Sequence, residues 1–303
     1  MKILSTQFTQ IHNINNIRQS LPLLKNDSVS FSSLQKSKSE TAKQAEEFGL
    51  KLFELYNQNN LTPEAIKQEG KKAVPILEVD NMKNLGKILG IDASGYHAYT
   101  LPSYGEDCKL KKITMFAPRN KISPRTISSL AHEYTHCIQR YKDDTYMGLA
   151  PVTNNNLMHA RLLNNVSSIV FGALEQQKFM EMADKFAIYT DLGMDEEQAL
   201  VKAYNCNDAK EFKQFMKKIF NENADHIIEQ TKTNPDAIKY MPLRNNPLML
   251  KRTIRKQCAT RAEMEKEAYT VQRNVLNKIS PDNVPNEIKM APAFYKLVAE
   301  ALS

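Results

Sequence analysis

The sequence predicts an α+β protein that is mostly helical, and three observations predict it. Apolar residues recur at helical spacing through nearly all of the chain after Tyr141. Only two short stretches before that point have the aromatic and β-branched content of strands. Two polar residues followed by proline, Thr62-Pro63 and Ser123-Pro124, mark helix starts. The expected architecture is a small sheet packed on the helix that begins at Ser123, with a larger C-terminal helical lobe closing the other side of a cleft.

In chain order, residues 1–39 are rich in Asn, Ser and Gln without a sustained apolar period, and read as a flexible tail. A tail of this kind is either plain disorder or a nonclassical secretion signal. An amphipathic helix is expected over 40–57, and Thr62-Pro63-Glu64 opens a second. Strands are expected over 96–101 and 112–117, the latter stopped by Pro118. From Ser123 onward, Ile127, Leu130, Ala131, Tyr134, Ile138 and Tyr141 keep helical spacing. Further helices are expected over 157–188, 195–204, 208–230, 247–256, 261–278 and 292–302. There is no internal repeat. Residues 40–303 form the main domain, divided into an α+β lobe (40–141) and a helical lobe (142–303).

The helix from Ser123 carries His132-Glu133-Tyr134-Thr135-His136. Positions i and i+4 share a helix face, so both imidazoles reach one metal ion while Glu133 projects beside them. Zinc held by few protein ligands keeps a position for water and lowers its pKa to about 7, and a neighbouring glutamate takes the proton as that water attacks a carbonyl. The string arises by accident on the order of once in a hundred chains of this length. In that case both histidines would simply bond to nearby carbonyls. Context favours the site: Ser129, His132, Glu133, His136 and Arg140 form a polar stripe alongside the apolar one, and a strand precedes the helix.

At these residues the chain resembles the zincin metallopeptidases, and Ala131-His132-Glu133-Tyr134-Thr135-His136-Cys137-Ile138-Gln139 looks like the active-site helix of bacterial members. The resemblance implies His132 and His136 as ligands of one Zn2+ per chain and Glu133 as general base. It covers about 30 residues and one downstream helix. A glycine and a third histidine continue the motif in metzincins, but Gln139 and Lys142 stand there. The Asp-x-x-Tyr turn of zincins with an aspartate ligand fits Asp143–Tyr146 poorly, since Arg140-Tyr141 replaces the preceding Gly-Thr. Gluzincins take a glutamate from a separate helix, often with a small residue three positions on.

The stretch from Thr260 to Tyr269 offers three glutamates. Thr260 and Glu263 match a capping box, which assigns Glu263 to a helix terminus. Met264, Ala268, Val271 and Val275 mark a buried face that Glu265 and Glu267 both flank. Glu265, with Ala268 at i+3, is the preferred third ligand, and Glu267 the alternative; a solvated charged face is the competing reading. Tyr269 occupies the place of the aspartate that orients a histidine in many gluzincins. Glu175 and Glu181, on another helix, lack a small residue at i+3. His159 and Tyr269 are candidates to polarise the scissile carbonyl. His12, His97 and His226 read as surface or core residues.

Composition fits an enzyme and excludes other classes. With 42% hydrophobic and 25% charged residues over 303 positions, the chain buries a sizeable core. No apolar run is long enough to span a membrane, and the N-terminus lacks the apolar region of a secretory signal, so a cytoplasmic address is expected. The four cysteines show no CxxC pairing, and Cys137 reads as core. The net charge of +7 is spread among 34 acidic residues without a basic stripe, which argues against nucleic acid. No phosphate-binding glycine loop or G-x-S-x-G elbow is present. The expected function is therefore a zinc-dependent metalloendopeptidase acting on a peptide or protein substrate extended along the strand 112–117. The alternative is a noncatalytic binding protein, zinc-structured or metal-free, that keeps the fold.

Overall fold

A computed structural model describes residues 34–93, 95–118, 122–143, 148–149, 153–154, 156–176, 179–233, 241–243 and 245–303. The chain divides into two compact units, Met1–Ser30 and Phe31–Ser303, and all described residues belong to the second. Of the tail expected over 1–39, positions 1–33 lie outside the described residues. Helix α1 begins six residues earlier than expected and spans Leu34–Asn57. Extending an existing helix adds a hydrogen bond per residue without a new nucleus, so the polar segment joins it although it lacks an apolar period.

Helix α2 (Pro63–Gly70) starts where Thr62 accepts from the Ala65 N–H, with proline at the first turn as expected. Strand β1 (Leu77–Asn81) and helix α3 (Met82–Leu89) were not foreseen. Each is short, and Asn81 both ends the strand and caps the helix by accepting from Asn84 N–H at 3.1 Å. Gly90 closes α3 in the left-handed region at φ 67°, where a side chain is strained. Strand β2 is Tyr99–Tyr104 and β3 is Leu110–Ala117.

The sheet order is β1-β3-β2, with β1 parallel and β2 antiparallel to β3. This overturns the expected role of 112–117 as the edge that receives substrate: that segment is central and paired on both sides. Within this sheet β2 is an edge strand, as its Pro102 allows, since proline cannot donate to a ladder.

Helix α4 (Pro124–Lys142) opens with Ser123 accepting from Thr126 N–H and carries the His-Glu motif. One sheet face, with Leu77, Ile113, Met115 and Ala117, packs on Ile127, Leu130, Ala131, Tyr134 and Ile138 of this helix. Tyr141, read from the sequence as part of that face, is 40% exposed. Phe48 of α1 stacks on Tyr134 with ring centroids 3.9 Å apart. A Cβ on Gly49 would stand 2.8 Å from the Ala131 Cβ, so glycine lets α1 close on α4.

Beyond α4 the described elements are all helical. The expected single helix 157–188 is described as two, α5 (Leu157–Glu175), closed by Gln176, and α6 (Phe179–Asp191). Helices α7 (Glu196–Ala203) and α8 (Ala209–Thr233) fall within a few residues of expectation. The two helices expected over 247–256 and 261–278 are one, α9 (Pro247–Ile279). No breaker separates them, so the Thr260/Glu263 capping box does not exist, and Glu263 instead pairs with Lys266 one turn on. Helix α10 (Asn286–Leu302) runs through Pro292 rather than starting there. Val271 and Val275 of α9 enter the same core cluster as Phe48, Leu52 and Tyr134, which fixes α9 against α1 and α4.

Candidate metal centre

Helices α4 and α9 lie side by side in antiparallel register. Gln272 Nε2 donates to Ser129 Oγ at 3.2 Å, the His132 and Tyr269 rings meet edge-on at 4.5 Å, and His136 Nε2 stands 3.5 Å from Glu265 Oε1. Each step is about one helical turn, so ligands far apart in sequence face one another across the seam. His132 Nε2 lies 3.5 Å from Glu265 Oε2 and 3.2 Å from His136 Nε2. One donor atom from each of His132, His136 and Glu265 falls within 4.8 Å of the others. Among the described residues this is the one His/Cys/Asp/Glu group with metal-holding geometry.

These donors fit a cation. Gln139 Nε2 donates to Met264 O at 3.2 Å and to Glu267 Oε2 at 2.8 Å, which leaves Gln139 Oε1 to accept from His136 Nδ1 at 2.9 Å. The neutral His136 ring then carries its proton on Nδ1 and turns a lone pair on Nε2 toward Glu265. Burial opposes charge on His136, yet the Glu265 carboxylate outweighs it and raises the ring to about 9. Burial likewise opposes ionisation of Glu265, but His136 and His132 hold its carboxyl well below the usual range. Both shifts mean that the point where the donors meet favours positive charge.

Glu267, the alternative ligand, is therefore placed behind His136 as the anchor of Gln139 rather than beside the other donors. Glu175 accepts from the Tyr295 hydroxyl, and burial raises its carboxyl to about 7. Glu181 is exposed and 3.6 Å from Lys185. His159 sits in the first turn of α5 with burial lowering its pKa. His132 Nδ1 has no hydrogen-bond partner among the described residues, and the Tyr269 ring packs edge-on against the His132 ring. Tyr269 in turn stacks on Tyr295 at 5.5 Å.

Glu133 projects from α4 toward the edge strand, where the Thr100 hydroxyl of β2 donates to its Oε2. Tyr99, next along the strand, is raised by burial and by the Glu133 charge. Sequence reasoning missed Thr100, Gln139 and Tyr99. The i+3 spacing from His136 marks Gln139 as its neighbour on the helix, whereas no local pattern links Thr100 to Glu133. No family model, curated protein sequence or solved structure matches this chain.

Proposed function

We propose that the protein is a zinc-dependent metallopeptidase of gluzincin type, with His132, His136 and Glu265 holding the metal and Glu133 acting as general base. The observation that carries this reading is the meeting of two imidazole Nε2 atoms of α4 with the Glu265 carboxylate of α9, beside a glutamate fixed by Thr100. A bound zinc supplies a Lewis acid that brings the pKa of a coordinated water near 7 and polarises the substrate carbonyl. Glu133 accepts the proton of the attacking water and returns it to the leaving nitrogen as the C–N bond breaks. Thr100 occupies one carboxylate oxygen and leaves the other for that proton. An extended peptide adds to the β2 edge by main-chain hydrogen bonds, which brings its scissile bond beside Glu133.

Among the described residues three donors meet rather than four, which favours a catalytic over a closed structural site. The test is elemental analysis together with digestion of a randomised peptide library. Near-stoichiometric zinc and library cleavage are expected, and Glu133→Gln keeps zinc and fold while cleaving about 10²-fold more slowly or worse. Undiminished cleavage by zinc-loaded Glu133→Gln rejects the base assignment, and a zinc-loaded protein that cleaves nothing leaves the binding-protein alternative.

A further inference from the structure

One turn beyond His136 on α4 stands Arg140, and one turn before Glu265 on α9 stands Arg261, so the antiparallel register that pairs Ser129 with Gln272 and His136 with Glu265 sets the two arginines opposite each other. Both are only partly buried. Arg261 is held by neutral groups: its NH2 donates to Asn164 Oδ1 at 3.1 Å, and its Cζ lies 5.6 Å from the centre of the Phe171 ring. Burial and the repulsion of Arg140 lower its pKa, against the opposing pull of Glu265 and Glu175. The Tyr99 hydroxyl on the edge strand feels the charges of Glu133, Arg261 and Arg140.

Two like charges at facing helix positions repel, the Glu265 and Glu175 carboxylates offset that repulsion at Arg261, and planar forks of this kind suit a carboxylate. We propose that Arg140 and Arg261 form a subsite for a substrate carboxylate one or two residues from the scissile bond. Distance supports this: a helical turn rises about 5.4 Å, and one to two extended residues span roughly 3.5–7 Å. The carboxylate has two sources, a free peptide C-terminus or an Asp or Glu side chain. This inference rests on the metallopeptidase reading for the meaning of the neighbouring layer, but the arginine pair is measurable without it.

The experiment is affinity selection on immobilised Glu133→Gln protein, with retained peptides quantified by mass spectrometry. Randomised hexapeptides are supplied in three forms: free C-terminus without Asp or Glu, amidated C-terminus without Asp or Glu, and amidated C-terminus with one Asp or Glu. Enrichment of either acidic form by about tenfold or more over the neutral form is expected, and which of the two is enriched names the source. Arg140→Gln and Arg261→Gln should each remove most of the enrichment of the acidic form relative to the neutral form. Arg261→Lys guards against a folding defect, since it keeps the charge but loses the fork, and it should fall between. Equal retention of all three forms overturns the proposal, as does enrichment that survives both glutamine variants. Running the selection with and without zinc separates the two readings: acid preference in a protein that binds no zinc keeps the subsite and rejects the metal centre, and zinc binding without acid preference does the reverse.

Discussion

Gln139 Oε1 lies 2.9 Å from His136 Nδ1, and the amine of the same amide donates to Glu267 Oε2 at 2.8 Å. The amide thus reads the difference between an imidazole N–H and a carboxylate, and its two bonds fix both its own orientation and the tautomer of His136. Partners of this kind typically change metal affinity by 10–100-fold when removed. Gln139→Leu is therefore expected to weaken zinc binding about 10–100-fold with the fold retained, as measured by competition with a chromophoric chelator. An affinity within twofold of the parent protein would show that the ring needs no such support.

The two glutamates of α9 should separate cleanly in zinc content. Glu265→Ala removes a donor and should leave well under stoichiometric zinc after dialysis, whereas Glu267→Gln should keep most of it. Glu267 is joined to His136 through Gln139, which donates to its Oε2. The opposite ranking by elemental analysis would transfer the ligand role to Glu267.

Thr100→Val removes the hydroxyl that donates to Glu133 without changing the shape of the strand. A carboxylate free to rotate loses part of its alignment, and a hydrogen bond to a charged group is worth about 1.5–3 kcal/mol. The expected outcome is a kcat lower by about tenfold, with zinc content unchanged and Thr100→Ser restoring the rate. Wild-type kcat in the valine variant refutes the positioning role.

Glu175 links the site to stability through pH. Burial raises its carboxyl from the ordinary 4.5 to about 7, although the Tyr295 hydroxyl bond pulls the other way. Between those values the folded protein binds more protons than the unfolded chain, so this group's contribution falls as pH rises through the window and is constant above it. Glu175→Gln carries no such dependence. Urea denaturation should find the two proteins similar near pH 4.5 and the glutamine variant more stable by about 2–3 kcal/mol at pH 8. Parallel pH profiles would contradict the shift.

Elements with local causes are readable from neighbouring residues. Ser123-Pro124 and Thr62-Pro63 start helices because a hydroxyl accepts an orphan N–H within three residues. The i, i+4 spacing alone puts His132 and His136 on one face. The sequence also singled out Glu265, with Glu267 as the alternative, as the glutamate to face the histidines, since both flank the buried line of Ala268, Val271 and Val275. Local pattern failed where packing overrides it: α9 runs unbroken through an apparent capping box, and α10 accepts Pro292 in its interior. The choice between the two glutamates belongs to tertiary structure. They are two residues apart and point some 160° apart around a helix, so only the rotation of α9 against α4 decides which meets the histidines and which meets Gln139. Strand order was equally hidden, because β1 enters beside β3 through pairing that no neighbouring residue encodes; β3 becomes central and the strand that holds Thr100 is one of two edges.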